Sequence, residues 1–336
     1  MKKLTILIFS GDRLTIKELL DDIIKLTDFD LNVRIVDWTI DKKNLIQKYK
    51  IYKTYRKKIL NLKIYYDHGS WQYKYKKYIN KFKSKYILLI GDDDRINVKN
   101  FKKVFKYLDL DFSGITLSFK NFENIEQIKK FDIQNSNDLN DIRPFELNYD
   151  LKKIGFTSCQ IINVNLIKKV LQNEKKYLLK SVFPQNFIIS SIIKNFNNWK
   201  VFNHICIYGH FGSLEIFKLN KKELIKYIKI KDRLKSEYFA YFYPLKKNFS
   251  HLSEHNISKI YKDIFFNNII SWLFVSIKFI GKKKTYYNIN KERRILKEPF
   301  IVSFTLFLIY VCPILFLDGM RICRKFFRKY LIFSKI

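Results

Sequence analysis

Over residues 1–115, short apolar runs alternate with segments of helical spacing, the pattern of an α/β domain built on a largely parallel sheet. Leu4 to Phe9 is an unbroken apolar strand, closed by Ser10-Gly11-Asp12-Arg13. Leu14, Ile16, Leu19, Leu20, Ile23, Ile24 and Leu26 then recur along one side of a helix. Val33 to Val36 predicts a second strand ending at Asp37, Lys63 to Tyr66 a third, and Tyr86 to Ile90 a fourth running into Gly91-Asp92-Asp93-Asp94. Val98, Phe101, Val104, Phe105 and Leu108 predict the helix after it. The polar strand ends matter, because open parallel sheets bind ligands beyond the carboxyl ends of their strands.

From 116 to 215 the pattern changes to short strands among polar loops: Gly114 to Ser118, Cys159 to Val164 and Lys200 to Tyr208, with an Asn/Asp-rich loop over 121–150. Residues 216–262 read as a charged helical linker, with a helix over Lys218 to Tyr241. Residues 263–336 form a hydrophobic and basic tail. In it, Ile264 to Ile280 is apolar but carries Asn267, Asn268 and Lys278, which suits a helix lying in a membrane interface. Phe300 to Leu317 carries no charge and spans about 27 Å as a helix, against a hydrocarbon core of about 30 Å. Basic clusters stand on both sides of it, Lys282 to Lys297 and Arg321 to Lys329, and a single crossing would export one of them. The tail therefore predicts a monotopic arrangement, dipping into one leaflet with its lysines on anionic head groups.

Composition narrows the classes. Of 336 residues, 47% are hydrophobic, enough for a core and against global disorder. Lysine and arginine total 65 against 31 acids, a formal +34 that excludes an acidic scaffold and favours anionic partners. Cys159, Cys206, Cys312 and Cys323 form no CxxC pair, which argues against a disulfide framework or zinc knuckle and for a reducing compartment. The apolar run after Met1-Lys2-Lys3 is six residues with no small-residue cleavage site, so it reads as a buried strand in a cytoplasmic chain, not a signal peptide. Residues 42–86 hold fifteen basic and eleven aromatic residues and one acid, Asp67, a mixture that also suits nucleic acid. The hydrophobic tail counts against that partner. His251-Leu-Ser-Glu-His255 has zinc-like spacing, with a polar linker helix as the plainer reading. No Walker loop, GxGxxG or GxSxG is present.

A strand that delivers Asp92, Asp93 and Asp94 to its end makes a site for a hard divalent cation, which takes oxygen ligands and shares them with phosphates. The order of first strand, Phe9-to-Arg13 turn, helix, strand ending in Asp37 and strand ending in three aspartates resembles the family 2 glycosyltransferases of GT-A fold. The resemblance covers residues 3–110 and, more loosely, 150–215. It implies a GT-A α/β fold with a Rossmann-like nucleotide-binding sheet and a C-terminal helical, membrane-associating region. Residues 1–115 would bind the nucleotide-sugar donor and 116–215 the acceptor. Phe9, Ser10, Asp12, Arg13, Asp37, Asp92, Asp93 and Gly155 are the implied donor contacts, and Asp92, Asp94 and His210 the implied ligands of Mn²⁺ or Mg²⁺. His204 is the fallback histidine, placed inside a strand.

Three features depart from that family, one being Gly91, where many members have another polar or acidic residue. The family's second strand usually ends in two acids, where this chain has Asp37-Trp38-Thr39. Inverting members place a carboxylate base in the acceptor half, where this chain has Gln185 in Ser181-Val-Phe-Pro-Gln-Asn186. Glutamine cannot take a hydroxyl proton, so the base is unassigned, with Glu174 a candidate for it and Gln185 a catalytic candidate only by its position. The resemblance implies metal-dependent transfer from a nucleotide-diphosphate sugar to a lipid-linked or polysaccharide acceptor at the cytoplasmic face of a bacterial inner membrane. The alternatives are a basic nucleic-acid-binding protein and an inactive GT-A-like scaffold.

Overall fold

A computed structural model describes residues 2–69, 71–122, 141–146, 150, 157–173, 184–196, 198–210, 241–250, 252–265, 273, 276–277, 281–293 and 300–311. The chain divides into two compact units, Met1–Ile216 and Phe217–Ile336.

The first unit is a nine-stranded mixed sheet in the order β3-β2-β1-β4-β8-β6-β9-β5, with β7 paired to β9. Its strands are β1 (Leu4–Ser10), β2 (Leu31–Asp37), β3 (Leu62–Tyr66), β4 (Tyr86–Gly91), β5 (Arg95–Ile96), β6 (Gly114–Phe122), β7 (Ile142–Pro144), β8 (Gln160–Asn163) and β9 (Trp199–His210). The helices among the described residues are α1 (Ile16–Ile24), α2 (Lys42–Lys58), α3 (Trp71–Ile79), α4 (Val98–Val104), α5 (Val164–Asn173) and α6 (Pro184–Phe196). Strands β1 to β4 are parallel, and every residue of β1 is buried, as expected of a strand covered on both faces. Residues 1–115 and 116–215 share this sheet, because β8 joins β4 antiparallel and β6 in turn joins β8. Ile16, Leu19, Leu20 and Ile23 of α1 pack with Ile6, Ile8, Val33, Ile35, Leu88 and Ile90 in one core cluster.

The strand expected over Cys159 to Val164 is shorter. Cys159 closes a 3₁₀ turn begun at Thr157, and Val164 opens α5. The cause is Asn163, whose side chain accepts the backbone N–H of Asn165 at 3.0 Å and so starts a helix where hydrophobicity alone would extend the strand. Most of the Asn/Asp-rich stretch, the helix expected over Lys218 to Tyr241, and most of Ile264 to Ile280 lie outside the described residues.

In the second unit, α7 (Glu254–Ile264), α8 (Lys282–Arg293) and α9 (Phe300–Val311) are described. Ser253 caps α7, accepting the N–H of Asn256 at 3.3 Å. The helix thus begins inside the HxxEH pattern, which does not lie on one continuous helix; His251 is outside the described residues. Tyr286 of α8 packs on Tyr310 of α9 with ring centroids 4.8 Å apart. Among the described residues no helix is long and apolar enough to cross a membrane. Residues 312–317 of the apolar segment lie outside them.

Candidate functional site: acids gathered at the strand ends

Strand register builds the site. Ser10 at the end of β1 stands opposite Asp37 of β2, and Phe9 opposite Gly91 of β4, so three strands distant in sequence end in one row. Asp92 follows directly and is fully buried. Its Oδ2 accepts from Ser10 Oγ at 2.8 Å and from the Gly11 N–H at 3.1 Å. Its Oδ1 lies 3.2 Å from Arg13 Nη2, and Arg13 also pairs with Asp93. Burial pushes the Asp92 carboxyl above the usual carboxylate range, against the pull of Arg13.

Asp94 turns inward. Its Oδ2 accepts from Ser158 Oγ, and its Oδ1 accepts the backbone N–H of His210 at 3.0 Å. Ser158 Oγ in turn accepts the Gly91 N–H at 3.0 Å. Burial first, and the charge of Asp93 second, push Asp94 up to about 7. Asp94 thus ties β4, the 3₁₀ turn and the end of β9 together, and both its oxygens are engaged there. A methyl on Gly91 would stand 2.9 Å from Asp93 Oδ1 and 3.1 Å from Asp94 Oδ2, so the triplet folds back over this residue and a side chain there would push those carboxylates aside.

Asp37, expected at the donor base, is fully buried, with both oxygens engaged. Oδ1 accepts the Thr39 N–H at 2.8 Å and faces Thr39 Oγ1 at 2.6 Å; Oδ2 accepts from Tyr52 OH at 2.5 Å. Asp12 spans the rim, its Oδ1 accepting the N–H groups of Ile40 and Asp41 at 2.7 and 2.9 Å. Phe9 is buried against Trp38, ring centroids 6.3 Å apart. His210 brings Nδ1 to 3.8 Å from Asp93 Oδ2. His204 instead faces Asp141 at 2.6 Å, away from this cluster in its contacts. Gln185 is buried at the start of α6. Gly155 and Glu174 lie outside the described residues.

Sequence reasoning missed three participants. Lys48 of α2 is fully buried, donates to Ser10 Oγ at 2.5 Å and to the Gly11 carbonyl, and lies 3.8 Å from both Asp37 Oδ2 and Asp92 Oδ2. Burial lowers its pKa, opposed by those two carboxylates. The signal was present: Lys48, Tyr52, Tyr55 and Ile59 share one helical stripe, and the three apolar members are buried. Lys74 is also buried, 4.3 Å from the Trp38 ring centroid, and burial pulls it down to about 8. Ser158 carried no sequence signal.

Among the described residues no three His, Cys, Asp or Glu stand ready to hold a metal by themselves. Two buried polar atoms of the cluster, Asp92 Oδ1 and His210 Nδ1, have no hydrogen-bond partner among them. Carboxylate oxygen and imidazole nitrogen suit a Mn²⁺ ion, and one or two protein ligands suffice where a diphosphate and water complete the shell. The donor set therefore fits such a cation; both oxygens of Asp94 already accept hydrogen bonds, whereas Asp92 Oδ1 and His210 Nδ1 accept none.

The sheet is parallel over β1 to β4, extended by the antiparallel strand β8, and edged with acids at its carboxyl end. The solved structures agree on the fold. The chain superposes on Staphylococcus aureus TarS 1–349 in complex with UDP-GlcNAc with a TM-score of 0.61 and 15% identity, over 88% of this chain and 82% of that one. The same protein in complex with UDP gives 0.60 and 14%, over 88% and 81%. A longer TarS structure gives 0.60 and 15%, and there the match spans 88% of this chain and 49% of that chain. No family model and no curated protein matches the sequence.

Proposed function

We propose that the chain transfers a sugar from a nucleoside-diphosphate sugar to a membrane-linked glycan or lipid, in the manner of the family 2, DxD-type glycosyltransferases. One observation carries this reading: Ser10, Gly11 and Asp92 form a hydrogen-bonded wall beside Arg13 and Asp93, at the strand ends where this fold takes its donor. The TarS complexes with UDP and UDP-GlcNAc put uridine donors first in the search.

In this reading Arg13, half exposed and paired to two carboxylates, exchanges them for the donor diphosphate. Asp93, His210 and Asp92 would hold Mn²⁺ or Mg²⁺. When bound, the cation supplies charge neutralisation to the leaving diphosphate. Asp94, through Ser158 and the His210 N–H, keeps the end of β9 against the acidic turn. The acceptor's proton goes to a base that Gln185 cannot be. Asp150, also buried in this half, is held bidentately by Arg143 at 2.7 and 2.7 Å.

The tail supports work at a membrane. Phe304, Phe307, Tyr310 and Val311 of α9 are exposed, a run of apolar side chains unusual on a helix facing water. With the basic clusters around it, this suits monotopic attachment at the cytoplasmic face of a bacterial inner membrane, in assembly of surface polysaccharide or lipopolysaccharide. Gln185 in place of a carboxylate favours one other reading, a scaffold that binds donor without turning it over.

Calorimetric titration of the full chain with UDP, GDP, dTDP and CMP, with and without Mn²⁺, tests the donor site. The expected result is metal-dependent binding of one nucleoside diphosphate, lost in Asp93→Ala. Folded protein that binds none of them overturns the reading. Binding without turnover on any membrane extract selects the scaffold.

A further inference from the structure

Helix α2 has two faces with different work. Its inner face sends Lys48 and Tyr52 to Ser10 and Asp37 beneath the donor wall. Its outer face carries Lys42, Lys43, Lys50, Lys53, Arg56, Lys57 and Lys58, all exposed, and the helix contains no acid. Among these cations stand apolar side chains that the fold leaves in water: Ile46 is 60% exposed, Tyr49 59%, and Leu60, just past the helix end, 93%. The neighbouring strand β3 is the edge of the sheet, and its Tyr66 is exposed as well.

We propose that the outer face of α2, with Leu60, is a docking surface for an anionic lipid bilayer, separate from the C-terminal tail. Charge complementarity sets the partner's sign: seven cations with no acid between them repel any basic surface and gather phosphate head groups. The apolar members choose between anionic partners. Lysine and tyrosine would serve a nucleic acid, but Ile46 and Leu60 have nothing to bury against on a phosphate backbone, whereas the head-group and acyl boundary takes both. An outer face on lipid holds the Ser10–Asp92 wall about one helix diameter, ~10 Å, from the bilayer. That is where a lipid-linked acceptor presents its sugar. The proposal concerns lipid contact alone and stands whether or not the donor site binds a nucleotide.

The test is co-sedimentation of the full chain with vesicles of phosphatidylglycerol and phosphatidylethanolamine, beside vesicles of phosphatidylcholine, at low and high salt. The parent is compared with Lys50→Gln/Lys53→Gln/Lys57→Gln and with Ile46→Ser/Leu60→Ser. All five positions are exposed, and the thermal midpoint of each variant confirms that it folds. Each basic residue at an anionic surface strengthens binding about fivefold, so the triple variant is expected to bind anionic vesicles on the order of a hundredfold more weakly. The serine variant is expected to weaken binding at high salt, where charge attraction is screened. Parent and variants share the same tail, so the difference isolates α2. Equal affinity of parent and triple variant for anionic vesicles overturns the proposal, as does equal binding of the parent to phosphatidylcholine. So does a triple variant that keeps its vesicle binding but loses affinity for a single-stranded RNA oligomer.

Discussion

The buried ammonium of Lys48 donates to Ser10 Oγ at 2.5 Å, and the Ser10 hydroxyl in turn donates to Asp92 Oδ2 at 2.8 Å. One cation from α2 is thereby linked to a carboxylate that follows β4, through a hydroxyl at the end of β1. Lys48 also stands 3.8 Å from each of Asp37 and Asp92, and Asp92 has Arg13 as a second cation at 3.2 Å. Replacing it by an apolar side chain of similar length removes the ion pair of Asp37 and leaves Asp92 to Arg13 alone. Lys48→Met is expected to lose about 3–5 kcal/mol of stability at neutral pH. The loss should shrink in acid, where Asp92, its carboxyl pushed up by burial, takes up a proton. Urea unfolding at pH 7.5 and pH 5 measures both, and an equal loss at the two values would contradict the charge-compensation account.

The buried carboxyl of Asp94 gives a pH signature. Unfolded, it titrates near 3.8; folded, at about 7, so the native state keeps a proton that the unfolded state has released. Stability linked to this group is fully present below pH 3.8 and is lost as pH rises through 7. Asp94→Asn keeps the shape, accepting the His210 N–H through its carbonyl and donating its amide to Ser158. Denaturant unfolding across pH 4 to 8 in the presence of chelator is expected to show a flatter profile in the variant, with its advantage largest at pH 8.

Arg13 pairs with Asp92 and Asp93, the carboxylates that the proposed divalent cation would also use. Arg13→Gln is therefore expected to bind Mn²⁺ several-fold more tightly without nucleotide, and to bind a nucleoside diphosphate more weakly without metal. Paired calorimetric titrations read the two effects. Unchanged Mn²⁺ affinity would mean that the cation uses other atoms.

Gly114 opens β6 under the ring of Trp199, whose indole N–H donates to Thr116 Oγ1 at 2.9 Å. A methyl on Gly114 would stand 2.5 Å from that ring, closer than packing allows. Gly114→Ala is expected to cost about 2 kcal/mol or more and to shift the tryptophan emission. Nucleotide binding should survive in the fraction that stays folded, because Gly114 takes no part in the hydrogen bonds of the acidic turn.

Much of this fold was legible along the chain because parallel strands buried on both faces write themselves as unbroken apolar runs. Leu4 to Phe9 and Tyr86 to Ile90 are such runs, and β1 and β4 follow them within a residue. The strand over Cys159 to Val164 was overextended, since capping by Asn163 is a local geometry that hydrophobicity does not record. Lys48 passed unnoticed for a related reason. A lysine on a charged helix reads as solvated unless the stripe it shares with Tyr52 and Tyr55 is known to face inward.

By itself the sequence determined which residue types reach the carboxyl edge of the sheet, because a strand's end and the loop after it are local facts of the chain. Asp37 and the Asp92-to-Asp94 triplet were visible on that ground alone. The division of labour among those aspartates was decided only by the tertiary structure. Register set Ser10 and Gly11 against Asp92, α2 carried Lys48 beneath them, and the 3₁₀ turn brought Ser158 to Asp94. Three adjacent carboxylates are equivalent in a string of letters. They differ once burial and hydrogen-bond partners 64 to 116 residues away in the chain fix which one is neutralised, which one is bonded and which one faces His210.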